Sequence, residues 1–229
     1  MTTKPVFGGP GSLPPARAFP YQTLYEVNER CIELLVNAAR SERPDALPLV
    51  RHLREMLRKS DPEIRHRAAA RSILLVDIAF NDGDWWRGVR LEPTRRRRGA
   101  LAHTSFPRRT AVPLARATLM LAWYAIKEDL DTATVLLGMA RDVAEVIAAL
   151  QLSEIDTIAE RRFRHVLPRW HDQPDYWCEL FEAARSGTPG ALRRCNIRGL
   201  QMIVGEQLRL ANHTRARAGY LPSAMTHTA

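Results

Sequence analysis

Apolar residues return every three or four positions through most of this chain, the spacing of one helix face rather than of a strand. Thr23 and Glu26 stand three apart and predict a capping box, each side chain satisfying an exposed backbone donor of the other. Leu24, Val27, Cys31, Leu34, Leu35 and Ala38 then line a first helix running to about Arg40. A second helix, from about Pro44, puts Leu49, Val50, Leu53 and Leu57 on one side. Ser60 with Glu63 caps a third that passes through Ile64, Ala68, Ile73, Leu74 and Ile78, and Asn81, Asp82 and Gly83 stop it. Trp85 and Trp86 follow at once; they either fold back on this three-helix unit or offer a stacking surface to a ligand. Residues 21–86 thus read as an N-terminal helical unit behind a Gly- and Pro-rich flexible arm, residues 1–20.

The second half is helical too. Residues 113–130 are apolar almost all the way round (Leu114, Leu119, Met120, Leu121, Trp123, Tyr124, Ile126), so this helix must be covered on every side, in a core or by another subunit. The expectation is a homodimer with Leu114, Leu121, Trp123 and Tyr124 at its interface. Asp131 is placed to cap a short helix ending at Gly138, Asp142 a second, and Ser153 with Asp156 a third. A helix over residues 175–184, a break at residues 186–190, and a last helix with Ile197, Leu200, Val204, Leu208 and Ala211 on one face complete a domain over residues 113–213, before a flexible tail at 214–229. No alternating strand pattern or hairpin signal interrupts the series. The predicted fold class is all-α, two helical units joined by an Arg-rich linker.

Charge changes the picture more than composition does. The formal net charge is +9, yet residues 1–86 contribute +1 and residues 117–229 contribute nothing, so residues 87–116 carry almost all of it. Pro93, Gly99 and Pro107 punctuate this stretch, which predicts an irregular basic linker over residues 87–112. The rest hides a second asymmetry: residues 117–160 sum to −6 and residues 161–229 to +6. No apolar run approaches the roughly 20 residues that span a bilayer, and the N-terminus lacks the apolar stretch of a signal peptide. Three scattered cysteines argue against a disulfide framework, so a cytoplasmic protein is expected.

Candidate chemistry is sparse. Thr134 to Gly138, followed by Met139, Val143, Val146 and Ile147, has the spacing of a helix-turn-helix. Its second helix carries Asp142 and Glu145 with Arg141 as the one positive charge, which favours packing or a subunit contact over insertion into a DNA groove. Arg95, Arg96, Arg97 and Arg98, with Arg87, Arg90, Arg108 and Arg109, are either the footprint of a nucleic acid or a solvated linker without partner. A second basic set, Arg161, Arg162, Arg164 and Arg169, lies beside His165, Trp170 and His171 and suits DNA backbone or a protein partner. The expected DNA contacts are therefore Arg95, Arg96, Arg97, Arg98, Arg108, Arg109, Arg161, Arg162, Arg164 and Arg169. Cys178, Cys195, His165 and His171 lack metal-ligand spacing, and no nucleophile elbow, P-loop or dinucleotide fingerprint is present. Neither a metal, a cofactor nor an enzymatic activity is expected.

Leu137, Gly138, Met139, then Val143, Ala144, Leu150, Leu152, Ser153, then Ile158, Ala159, Glu160, and finally Arg169 and Asp172 follow an order that resembles the FlhD family of flagellar transcriptional regulators. The apolar helix before them looks like that family's first helix, and the resemblance covers about residues 113–210. It implies an all-α, dimerising subunit that associates with an FlhC-like companion and activates flagellar promoters. The competing reading is a helical adaptor that binds partners and no DNA, its basic linker merely solvated.

Overall fold

The computed structural model of the chain describes residues 19–41, 47–91 and 106–219. The architecture is all-α. Helices α1 (Tyr21–Arg40), α2 (Pro48–Lys59), α3 (Pro62–Ala69) and α4 (Gly83–Leu91) precede α5 (Arg108–Glu128), α6 (Leu130–Leu136), α7 (Arg141–Ala148), α8 (Leu152–Arg162), α9 (Pro174–Ser186) and α10 (Pro189–Gly219). Among the described residues no helix is long and apolar enough to cross a membrane.

The first three helices form where the apolar spacing predicts them, with different caps. α1 begins at Tyr21 behind Pro20, without a side-chain cap from Thr23. The Ser60 hydroxyl donates back to the Leu57 carbonyl at 2.7 Å and closes α2. Asp61 instead caps α3, its carboxylate accepting the Ile64 N–H at 2.8 Å, with Pro62 at the first helical position where no donor is missed.

α3 ends at Ala69, well short of Ile78. The reason is Asn28, fully buried on α1: its amide donates to the carbonyls of Ala69 and Ile73 and accepts the Leu75 N–H at 2.8 Å. Those bonds satisfy backbone groups that a continuing helix would have paired internally. Arg71 fixes the same segment from the other side, donating to the carbonyls of Arg67 and Leu192. Ile73, Leu74, Leu75, Val76, Ile78 and Phe80 are all buried, so the apolar run is a chain segment threaded through the core. A continuous apolar run of this length has no period that separates buried helix from buried extended chain. Within it, β1 (Val76–Asp77) pairs antiparallel with β2 (Leu167–Pro168), a two-residue ladder that the sequence pattern does not announce.

This threading joins the two halves. The Leu74 N–H donates to Leu136 of α6, Ala140 N–H to Phe80, and Arg169 N–H to Leu75, each at 2.9 Å. α5 packs on α1, and α9 packs on α2 and α3, so one apolar cluster extends from Leu24 to Ile203. The division between residues 21–86 and 113–213 does not divide the core. The basic stretch is also shorter than residues 87–112: α4 continues through residues 87–91, and α5 starts at Arg108 with Pro113 inside it.

α10 is turned relative to its expected face. Cys195, Gly199 and Ile203 point inward, while Ile197, Val204 and Leu208 point out. Gly199 fixes the register, because a Cβ there would run into Ile73 and lie 3.0 Å from the Tyr176 hydroxyl. Glu206 accepts the Trp170 indole N–H at 2.6 Å, and the Gln207 amide donates to the Thr134 carbonyl at 3.1 Å. Polar residues thus occupy part of the inward face.

Candidate nucleic-acid interface

α5 and α8 lie against each other with their charges matched. Arg108 and Arg116 sit two turns apart on α5, Asp156 and Glu160 one turn apart on α8, and both spacings keep each pair on one helix face. Arg116 donates to Asp156 at 2.6 Å and Arg108 to Glu160 at 2.7 Å. The buried Ile155, Ile158 and Ala159 hold α8 in this orientation. A capping box starts the helix, in which Glu154 accepts the Gln151 N–H at 2.7 Å. Sequence reasoning placed a cap on Ser153 and Asp156 and so missed the interhelical pairing; matching basic and acidic residues at whole-turn spacing was the available signal.

Beyond Arg162 the chain tightens into a 3₁₀ turn over Phe163–His165. The guanidinium groups of Arg108 and Arg164 lie 6.0 and 5.8 Å from the Phe163 ring. Trp85 stands edge-on to the buried Trp86, meets His165 at 4.7 Å between ring centroids, and has Arg162 at 5.9 Å. Of the two tryptophans, Trp86 packs inside on Phe80 and Trp85 is only half-buried at the surface. Burial and the Arg162 charge push the His165 imidazole below its ordinary value, against a smaller opposing effect of Asp82. The arrangement is a basic corner with two aromatic faces. Arg109 is exposed at its α5 end, and Arg161 is exposed along α8 in line with Ser153 and Thr157.

Four expected contacts, Arg95, Arg96, Arg97 and Arg98, lie outside the described residues. Arg108, Arg109, Arg161, Arg162 and Arg164 are brought together at the corner. Arg169 is not there. It is buried to 3% exposure, and its Nη2 donates to the carbonyls of Leu137 and Gly138 at 2.8 and 2.9 Å. Asp77 and Glu206 flank it at 3.8 and 3.6 Å. Gly138, at φ +59°, has no side chain because a Cβ would collide with that guanidinium. Arg169 therefore anchors the α6–α7 turn and reaches no surface.

The proposed dimer positions are corrected in the same way. Leu114 and Leu121 are core residues of this chain, enclosed by neighbouring helices. Trp123 is half-buried, with its indole N–H donating to Leu150 at 2.9 Å and the Lys127 ammonium 3.6 Å over its ring. Tyr124 alone of the four is exposed, at 47%. A helix apolar all round has found its cover within one chain.

The α6–α7 pair has the predicted turn at Gly138, but Asp129 rather than Asp131 caps α6, accepting the Thr132 N–H at 3.0 Å. Arg141 is occupied by Asp131 at 2.9 Å and Glu145 at 3.8 Å, which removes the one positive charge of α7. A second pair, α7 and α8, is joined by only residues 149–151 and ends in the basic corner. Among the described residues no group of three His, Cys, Asp or Glu side chains gathers to hold a metal ion. No family model matches the chain, and no curated protein or solved structure shows significant similarity to it.

Proposed function

We propose that the chain is a DNA-binding transcriptional regulator that meets the phosphate backbone with the corner between α5 and α8. The observation that carries this reading is the pairing of Asp156 and Glu160 with Arg116 and Arg108. The acidic character of residues 117–160 is thereby partly neutralised, and the carboxylates that would repel phosphate are held against α5. Arg109, Arg162 and Arg164 form no ion pair among the described residues, and two of them lie over aromatic rings. α8, entered by the three-residue turn from α7, has the position of a recognition helix, with Ser153, Thr157 and Arg161 as the side chains to meet base edges. The FlhD resemblance adds to this reading a cytoplasmic homodimer that works with an FlhC-like companion on flagellar promoters and performs no chemistry of its own.

The test is fluorescence anisotropy of a labelled duplex over a range of salt. Wild-type affinity should fall steeply with salt, because each phosphate contact contributes a slope of about 0.9 in log affinity against log salt. The triple variant R109A/R162A/R164A should lose roughly two to three units of that slope on every sequence tried. No binding at about 50 mM salt, or an unchanged slope in the variant, refutes the reading.

The second reading, a helical adaptor without DNA contact, is favoured by one observation, the outward apolar face of α10. It requires that no duplex be bound at any salt.

A further inference from the structure

Ile197, Val204 and Leu208 are 47, 45 and 60% exposed on α10. Together with the exposed Gln201 and Ala211 they fall at steps of four, three, four and three residues, which is the seam of a helix that packs along another helix. Scattered exposed apolar residues need no explanation; a row of them in heptad register on one helix does. Gly205 lies beside the seam, and a Cβ added there would meet nothing within 4 Å, so a second backbone has room to approach.

The flanking charge identifies what covers the row. α10 holds six arginines (Arg193, Arg194, Arg198, Arg209, Arg215, Arg217) and one carboxylate, Glu206. Glu206 is committed inward to Trp170, so it cannot answer an arginine across an interface. Two copies of α10 laid together, in either direction, therefore set arginine against arginine, a repulsion that disfavours self-pairing. We propose that this face of α10 docks an amphipathic helix of a partner protein, apolar at alternating three- and four-residue steps and flanked by Glu or Asp. The site is separate from the corner at α8 and holds whether or not the chain binds DNA.

The experiment uses the full chain and two synthetic amphipathic peptides of about three heptads with the same leucine seam, one flanked by Glu and one by Lys. The Glu-flanked peptide should bind at least tenfold more tightly than the Lys-flanked one. The variant V204E/L208E should lose at least tenfold of that binding, and the uncharged V204Q/L208Q should also lose it. Both should keep the wild-type melting temperature, since the replaced side chains are exposed, and the wild-type salt dependence on any duplex. Equal binding of the two peptides, no binding of either, or a wild-type dimer that V204E/L208E converts to monomer in sedimentation would each overturn the proposal; the last would identify a second copy as the occupant.

Discussion

Truncating Arg169 to Ala separates a structural arginine from a DNA-binding one. The substitution leaves the backbone bonds of residue 169 in place, its N–H to Leu75 and its carbonyl to the Trp177 indole, and removes only the guanidinium. Two buried carbonyls, Leu137 and Gly138, then lose their donor. Leaving a buried polar group unpaired costs about 1–3 kcal/mol each. The carboxylates of Asp77 and Glu206 are 3.8 and 3.6 Å away, beyond good hydrogen-bond distance, and retain some solvent access, so their loss adds less than about 1 kcal/mol. The total of about 3–5 kcal/mol agrees with the usual cost of removing one member of a buried charged cluster. For a chain of this size that lowers the melting temperature by roughly 6–20 °C. Urea denaturation followed by circular dichroism measures it, and R169K, which keeps the charge without the forked donor, should recover less than half of the loss. If R169A stays within about 1 kcal/mol of wild type while DNA affinity falls, the side chain reaches the surface and the anchoring argument is wrong.

Leu121→Glu tests the cover of α5: a charge at a site 1% exposed should destabilise the chain by about 4 kcal/mol or more, and light scattering should find unfolding or aggregation instead of a folded monomer released from a dimer. His165 supplies a pH dependence. Its folded value is held below the unfolded one, so the unfolded chain binds more protons and stability should decline as pH falls below about 6.5, with H165Q flattening that slope in melts taken between about pH 5 and 8. Burial pushes the Cys31 thiol up to about 12, and its side chain is fully enclosed, whereas Cys178 is only half-buried. Brief alkylation at about pH 8 followed by peptide mass spectrometry should therefore modify Cys178 before Cys31, and equal labelling would show that α1 opens readily.

Helix existence was legible wherever one face alone is apolar. α2 is an example: Leu49, Val50, Leu53 and Leu57 are all buried, and Arg51, His52, Arg58 and Lys59 are exposed. The reading failed where a polar residue does structural work from a distance. Nothing local to residues 70–75 says that Asn28, more than 40 residues earlier, will take their backbone bonds, so an apolar run that continues α3 by pattern leaves it in fact. α10 failed for the converse reason. Its inner face holds Gly199, Glu206 and Gln207, whose contribution is close approach and hydrogen bonding, so a rule that sends the most apolar face inward chose the opposite side. Arg169 escaped notice likewise, since an arginine with four neighbouring basic or aromatic residues in sequence resembles a surface one.

The candidate interface was half legible, and the missing half is electrostatic. Summed by segment, residues 117–160 carry −6 and residues 161–229 carry +6, which places an acidic surface beside a basic one. Pairing across elements rearranges that sum. Asp156 and Glu160 are matched by α5, Asp142 by Arg87 of α4 at 2.9 Å, and Asp131 by Arg141, so half of the eight carboxylates in the acidic segment face a cation within 3 Å. These pairs are exposed, and each stabilises the fold by little. Their effect is on the field: a paired carboxylate is a dipole whose influence falls off faster than that of a lone charge, so at the distance of an approaching phosphate the unmatched arginines dominate. A net charge read from sequence weights every residue equally, whereas a polyanion meeting this surface responds to the charges left over after α5 and α8 have neutralised each other. Arg109, Arg162 and Arg164 are such charges, and their common location at one end of α8 follows from the fold and not from any run of basic residues in the sequence.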